Sequence, residues 1–181
     1  MGTIVLRPQR NHPKFKIRMI LSRLRNRWFW SIALLGVGLD HLAKFWVVTR
    51  FDRYESLPII DGVFHFTYVT NTGAAFSLFA GSDWLKWLSL LVSAGLVYFG
   101  LQAKRLRRLE QIAYGAILGG AIGNGIDRFA TGEVVDFLDF RLIRFPIFNI
   151  ADVAINIGIF CLLLIAIDPP QLKSFHRPPK P

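Results

Sequence analysis

An all-α integral membrane protein with four transmembrane helices is the fold class this sequence predicts, on three observations. The apolar residues, 52% of 181, gather into four blocks: Phe29 to Thr49, Trp84 to Leu101, Leu109 to Ile126 and Phe148 to Ile167. Each approximates the ~20 residues a helix needs to cross a hydrocarbon core, counting tilt and flanks. The basic residues are divided unequally among the segments that join the blocks. Four of the nine aspartates, Asp127, Asp136, Asp139 and Asp152, fall in the single stretch Gly119 to Asp152, which begins and ends inside apolar segments. Charges at the edge of lipid are costly and seldom stand there without a partner or a task.

Residues 1–27 hold eight Lys or Arg, Lys104 to Arg108 four, and the segment after Asp168 three. With an even number of crossings all fifteen lie on one side, against five on the other: Arg50, Arg53, Arg128, Arg141 and Arg144. This is the bias of the positive-inside rule, and it predicts two cytoplasmic termini. Basic segments facing an anionic leaflet account for the net charge of +10 without nucleic acid as a partner. The lone cysteine, Cys161, permits no intrachain disulfide and no cysteine-built metal cluster. The first apolar block is too long for a cleavable signal peptide and has no small-residue cleavage site behind it. The expected divisions are a basic arm over 1–27, a transmembrane domain over 28–168 and a proline-rich tail over 169–181.

In chain order, Trp28, Phe29 and Trp30 stand where an interfacial aromatic belt belongs. The first span carries Gly36, Asp40 and Lys44 on one helical face, where Asp40 and Lys44 can pair. His41 points about 100° away and is assigned no role. Between the first two spans, Leu57 to Ile60 and Val63 to Thr70 flank Asp61-Gly62 and read as a β-hairpin. Phe64, Phe66 and Tyr68 share one face of its second strand, which is expected to cover lipid or a lipid-bearing ligand. Asn71-Thr72-Gly73-Ala74-Ala75-Phe76-Ser77 follows, a turn whose small residues allow close backbone approach.

The second span, from Trp84, reads as structural. In the third, Gly115, Gly119 and Gly123 form a stripe suited to close helix contact, with Gly120, Asn124 and Asp127 alongside it and Arg128 at the outer end. Val134 to Phe145 is β-branched and aromatic and is expected to be extended. Asp136 and Asp139, three apart in a strand, face opposite ways, so only one can look into the bundle; periodicity does not say which. After Pro146, Asn149, Asp152 and Asn156 line one face of the fourth span.

Two carboxylates held close share a proton: the ionised one takes a proton from water while the neutral one polarises a carbonyl. Asp136 and Asp152 suit that chemistry, which needs no metal or other cofactor. The four histidines are scattered, with no metal-ligand spacing. Intramembrane acids also mark proton relays, so a small proton-coupled transporter is the alternative; it would place its acids deep in the spans, where only Asp40 lies.

Five blocks together give a specific resemblance: Asp40-x-x-x-Lys44; Asn71-Thr-Gly73-Ala-Ala-Phe-Ser; Gly120-Ala-Ile-Gly-Asn124-Gly-Ile-Asp127-Arg128; Val134-Val-Asp136-Phe; and Phe148-Asn149-Ile-Ala151-Asp152. In order and over roughly residues 28 to 168, these resemble the lipoprotein signal peptidases, or signal peptidase II. The resemblance implies an aspartyl endopeptidase of the bacterial cytoplasmic membrane, cutting prolipoproteins just before a diacylglyceryl-modified cysteine and inhibited by globomycin. It implies a small extracytoplasmic β-sheet cradling the substrate. By matching motifs it makes Asp136 and Asp152 the catalytic dyad and selects Asp136 over Asp139. It likewise makes Asn71, Gly73 and Arg128 substrate-binding, and Asp40, Lys44, Asn124, Asp127, Asn149 and Ala151 supports of the site. The arm over 1–27 is longer and more basic than the family's compact minimum.

Overall fold

The computed structural model describes residues 25–73, 84–143 and 145–167. Most of the basic arm, the tail over 169–181, Arg144 and the second half of the Asn71–Ser77 segment lie outside them. Among the described residues, four helices and three strands follow in the order α1 (Arg27–Arg50), β1 (Ser56–Ile60), β2 (Phe64–Asn71), α2 (Trp84–Gln102), α3 (Arg108–Ala130), β3 (Val134–Phe140) and α4 (Ile150–Ile167). By length and composition α1, α2 and α4 are apolar enough to cross a membrane, with mean hydropathies of 1.4, 1.5 and 2.5. Their large apolar side chains, such as Leu34, Phe45, Leu91 and Leu163, point outward, as lipid-facing surfaces do.

The other helix, α3, is the axis of the bundle and packs against α1, α2 and α4. Its small residues make this possible. Gly119 lies against Ala33 of α1, where a Cβ would stand 2.8 Å from the Ala33 carbonyl oxygen. The neighbouring Gly120 turns instead toward α4, against the Ala151 carbonyl. The Gly115–Gly119–Gly123 stripe therefore lies against α1, while the neighbouring stripe opens toward α4 at Gly120.

The hairpin forms with the expected turn: the Val63 N–H donates to the Ile60 carbonyl at 3.0 Å, and Gly62 has φ +68°, a conformation L side chains rarely adopt. β3 adds to the free edge of β2, giving an antiparallel sheet in the order β1-β2-β3. Two expectations are corrected here. The extended run stops at Phe140 and not at Phe145, because residues 141–143 turn. The aromatic face of β2 covers protein: Phe66 packs on Trp46 of α1 at 5.5 Å between ring centroids, and Phe64 on Phe140 of β3 at 4.7 Å.

At the opposite end of the bundle, Asn26 donates to the Lys104 carbonyl and accepts from the Leu106 N–H, while Gln111 accepts from the Trp28 N–H and donates to the Leu106 carbonyl. These two buried amides tie the α2–α3 turn to the start of α1. Nothing in their sequence context announces that role.

Candidate active site

Pro146 and the residues after it bring the chain back against the sheet before α4 begins. Phe148 pairs with Leu138 of β3 through two backbone hydrogen bonds, 2.8 and 3.2 Å. The next residue, Asn149, caps α4: its Oδ1 accepts from the Asp152 N–H at 3.0 Å, and the Asp152 carboxylate accepts from the Asn149 N–H at 3.3 Å. This reciprocal cap fixes Asp152 in the first turn, where backbone N–H groups favour an anion. The fourth-span stripe thus begins on a cap, not inside a helix.

The Nδ2 of Asn149 reaches the Asp136 carboxylate at 2.6 Å. One carboxamide therefore bonds to both Asp136 and Asp152. A second, Asn124 of α3, donates to Asp152 at 2.8 Å and accepts from Asn149 at 3.0 Å and from the Lys44 ammonium at 3.1 Å. Asp136 also accepts from Asn71 at 3.2 Å, whose Oδ1 in turn holds the Gly73 N–H at 2.8 Å. Arg128 donates to the Gly73 carbonyl at 3.1 Å and reaches Ser89 of α2 at 3.4 Å, so α2 contributes a polar contact that its sequence did not suggest.

Behind this layer lies a buried ionic cluster. Lys44 stands 2.7 Å from both Asp40 and Asp127, and Asp40 and Lys44 are 0% and 3% exposed. Two acids around one ammonium, with Asn124 completing its hydrogen bonds, make burial tolerable. The Ala151 N–H donates to Asp40 at 2.9 Å, so Asp40 ties α1 to the start of α4. The expected Asp40–Lys44 pair is present and wider than expected. His41, given no role, lies 4.0 Å from Asp127.

Asp139 faces the other way. It accepts from Thr67 at 2.7 Å and from Arg141 at 2.9 Å, in a network that includes Ser56. Asp136 and Asp139 thus part as strand alternation requires. A register shift in β2 between Phe66 and Val69 sets Asp136 opposite Val69, with Asn71 within reach. Neither Ser56 nor Thr67 is identifiable without that register.

Asp136 and Asp152 line a cavity of about 840 Å³, a size suited to a ligand site. Asn71, Asn124 and Arg128 form its polar side, and Phe145, Phe148 and Ile155 belong to its apolar side. Burial pushes the Asp136 carboxyl up to about 7, helped by the Asp152 charge and opposed by hydrogen bonds from Asn71 and Asn149 and by Lys44. Among the described residues no three His, Cys, Asp or Glu side chains group as metal ligands.

The family model for Signal peptidase (SPase) II matches residues 32–167. The chain belongs to the signal peptidase II family. It is similar to the lipoprotein signal peptidase of Nostoc sp. (strain PCC 7120), 59% identical over 157 residues that cover 86% of this chain and 99% of that one. The lipoprotein signal peptidase of Microcystis aeruginosa is 63% identical over 142 residues, 77% of this chain and 92% of that one. A solved bacterial membrane enzyme matches with a TM-score of 0.72 and 29% identity, covering 92% of this chain and 96% of its own. As a signal peptidase II the chain is an enzyme, an aspartic endopeptidase by family. That membership overturns the proton-coupled transporter alternative.

Proposed function

We propose that this enzyme removes signal peptides from prolipoproteins, cutting the amide bond just before a diacylglyceryl-modified cysteine, with Asp136 and Asp152 as the catalytic pair. The observation that carries the reading is Asn149, whose single carboxamide donates to the Asp136 carboxylate and accepts from the Asp152 backbone N–H, so that one side chain holds the two aspartates that line the cavity. Asp136, with its raised pKa, holds the shared proton. Asp152, accepting from Asn124 and from backbone at a helix N-terminus, is the anion. Asp152 takes a proton from water as the water oxygen attacks the scissile carbonyl carbon. Asp136 gives its proton to the carbonyl oxygen, forming a neutral gem-diol. Asp152 then passes its proton to the departing cysteine nitrogen, the C–N bond breaks, and Asp136 recovers a proton from the new carboxyl group. Asn71, Gly73 and Arg128 are assigned to the substrate backbone, and Asp40, Lys44, Asn124, Asp127, Asn149 and Ala151 to holding the pair in place.

The setting we assign is a bacterial inner membrane crossed four times, by a peptidase domain over 28–168 with a basic arm over 1–27 and a tail over 169–181. Both termini are cytoplasmic and the sheet and cavity lie on the extracytoplasmic side. The unequal division of basic residues supports this orientation. Globomycin is expected to compete for the same cavity.

The test is Asp136→Asn and Asp152→Asn, made separately and assayed on a lipidated precursor in detergent or lipid. Each should insert and fold and lose at least roughly 100-fold in kcat, the scale of a general acid or base. Processing retained in both would end the dyad assignment.

A further inference from the structure

α4 is the most apolar of the candidate spans, and apart from Cys161 its only polar side chains are Asp152 and Asn156. Asn156 is exposed, lines the same cavity and stands one helical turn inward of Asp152, roughly 9 Å along the axis from the start of α4. Its Nδ2 donates to the Asp152 carbonyl at 2.9 Å. Because a carbonyl oxygen can face only the amide's N–H side, this bond also orients the carboxamide, leaving Oδ1 turned away from it. Oδ1 makes no hydrogen bond among the described residues. A carbonyl left unmet at membrane depth is costly, so this position calls for a donor.

We infer that Asn156 is a further substrate-recognition residue, whose Oδ1 accepts a backbone N–H of the peptide on the signal-peptide side of the cut. The inference rests on the peptidase reading above and adds the depth to which the substrate backbone is read. Two parts of such a substrate run inward past Asp152: the apolar signal segment and the acyl chains. The diacylglyceryl group offers ester carbonyls and a thioether, which only accept hydrogen bonds, whereas Oδ1 needs a donor. Only the peptide supplies one. Its backbone N–H groups at that depth have no water to bond with, so each side of the contact satisfies the other.

The experiment compares the full-length enzyme with Asn156→Leu and Asn156→Ala on a synthetic lipidated precursor peptide, and repeats the assay with single backbone amides of the signal segment N-methylated in turn. Both variants should raise KM about tenfold with kcat within twofold, since one hydrogen bond used equally in ground and transition states is lost. One N-methylated peptide should raise the wild-type KM by the same factor and leave that of Asn156→Leu unchanged. An unchanged KM in both variants would mean that water meets Oδ1, and overturns the inference. So would a loss of kcat at constant KM, the signature of a brace for Asp152, or the absence of any methylation masked by the variant. Activity surviving in both Asp→Asn variants would instead remove the Asp136–Asp152 dyad, independently of the Asn156 result.

Discussion

Two carboxamides, Asn124 and Asn149, do for this site what charge alone cannot. Each has one donor side and one acceptor side, and each is turned so that the donor meets a carboxylate while the acceptor holds an ammonium, an amide or a backbone N–H. The two acids thus face one cavity, each held by a neutral amide. Asn71 adds a donor on the outer side of Asp136 and favours its ionised form. The proposed mechanism needs Asp136 protonated, so kcat/KM should fall as pH rises through about 7, where that proton leaves. Removing a donor that stabilises the anion raises the pKa. Asn71→Ala should therefore move the alkaline limb of the pH profile to higher pH, besides raising KM through the lost substrate contact. A limb that stays in place or moves down would show that Asn71 does not bond to Asp136 in the working enzyme. At this scale the sequence was partly legible. Strand alternation separates Asp136 from Asp139, but which one faces the cavity depends on pairing with a strand that precedes β3 by more than sixty residues.

Among the elements, α3 shows how glycine spacing becomes geometry. Its stripe was readable as a close contact; which helix lay against which stripe was not, since periodicity describes one helix and not its neighbours. Gly123 is the most consequential member. A Cβ there would stand 2.6 Å from the Asp40 carboxylate, which is held on its other sides by Lys44 and the Ala151 N–H and has nowhere to go. Gly123→Ala should thus lower stability by about 1–3 kcal/mol, the usual cost of overpacking, and reduce turnover by shifting the start of α4. Gly95 of α2 meets nothing within 4 Å, and Gly95→Ala should be neutral or slightly stabilising. Thermal unfolding in one detergent compares the two; equal midpoints would mean that Asp40 is free to move. The hairpin was legible because its turn signal is local. The halt of β3 at Phe140 was not, because Leu142, Ile143 and Phe145 continue the apolar, β-branched and aromatic character of the strand before them.

For the whole molecule, the sheet decides how α3 must run. β1 and β2 follow the C-terminal end of α1, β3 follows the C-terminal end of α3, and β2 pairs with both neighbours. Hydrogen-bonded strands cannot lie on opposite sides of a bilayer, so the C-terminal ends of α1 and α3 share a side. Asn26 and Gln111 join the N-terminal ends of the same two helices at the other end. If α1 crosses, α3 crosses parallel to it, and its 23 residues extend about 35 Å, enough for a core of about 30 Å. Its polar residues then meet protein instead of lipid, which is why composition understates it. Single cysteines in a Cys161→Ala background test this. Asp61→Cys in the hairpin turn and Thr131→Cys after α3 should react with an impermeant maleimide only from the extracytoplasmic side. Arg105→Cys in the α2–α3 turn should react only from the cytoplasmic side. Labelling of Thr131→Cys and Arg105→Cys from one and the same side would mean that α3 does not cross, and the four-span reading would fall with it.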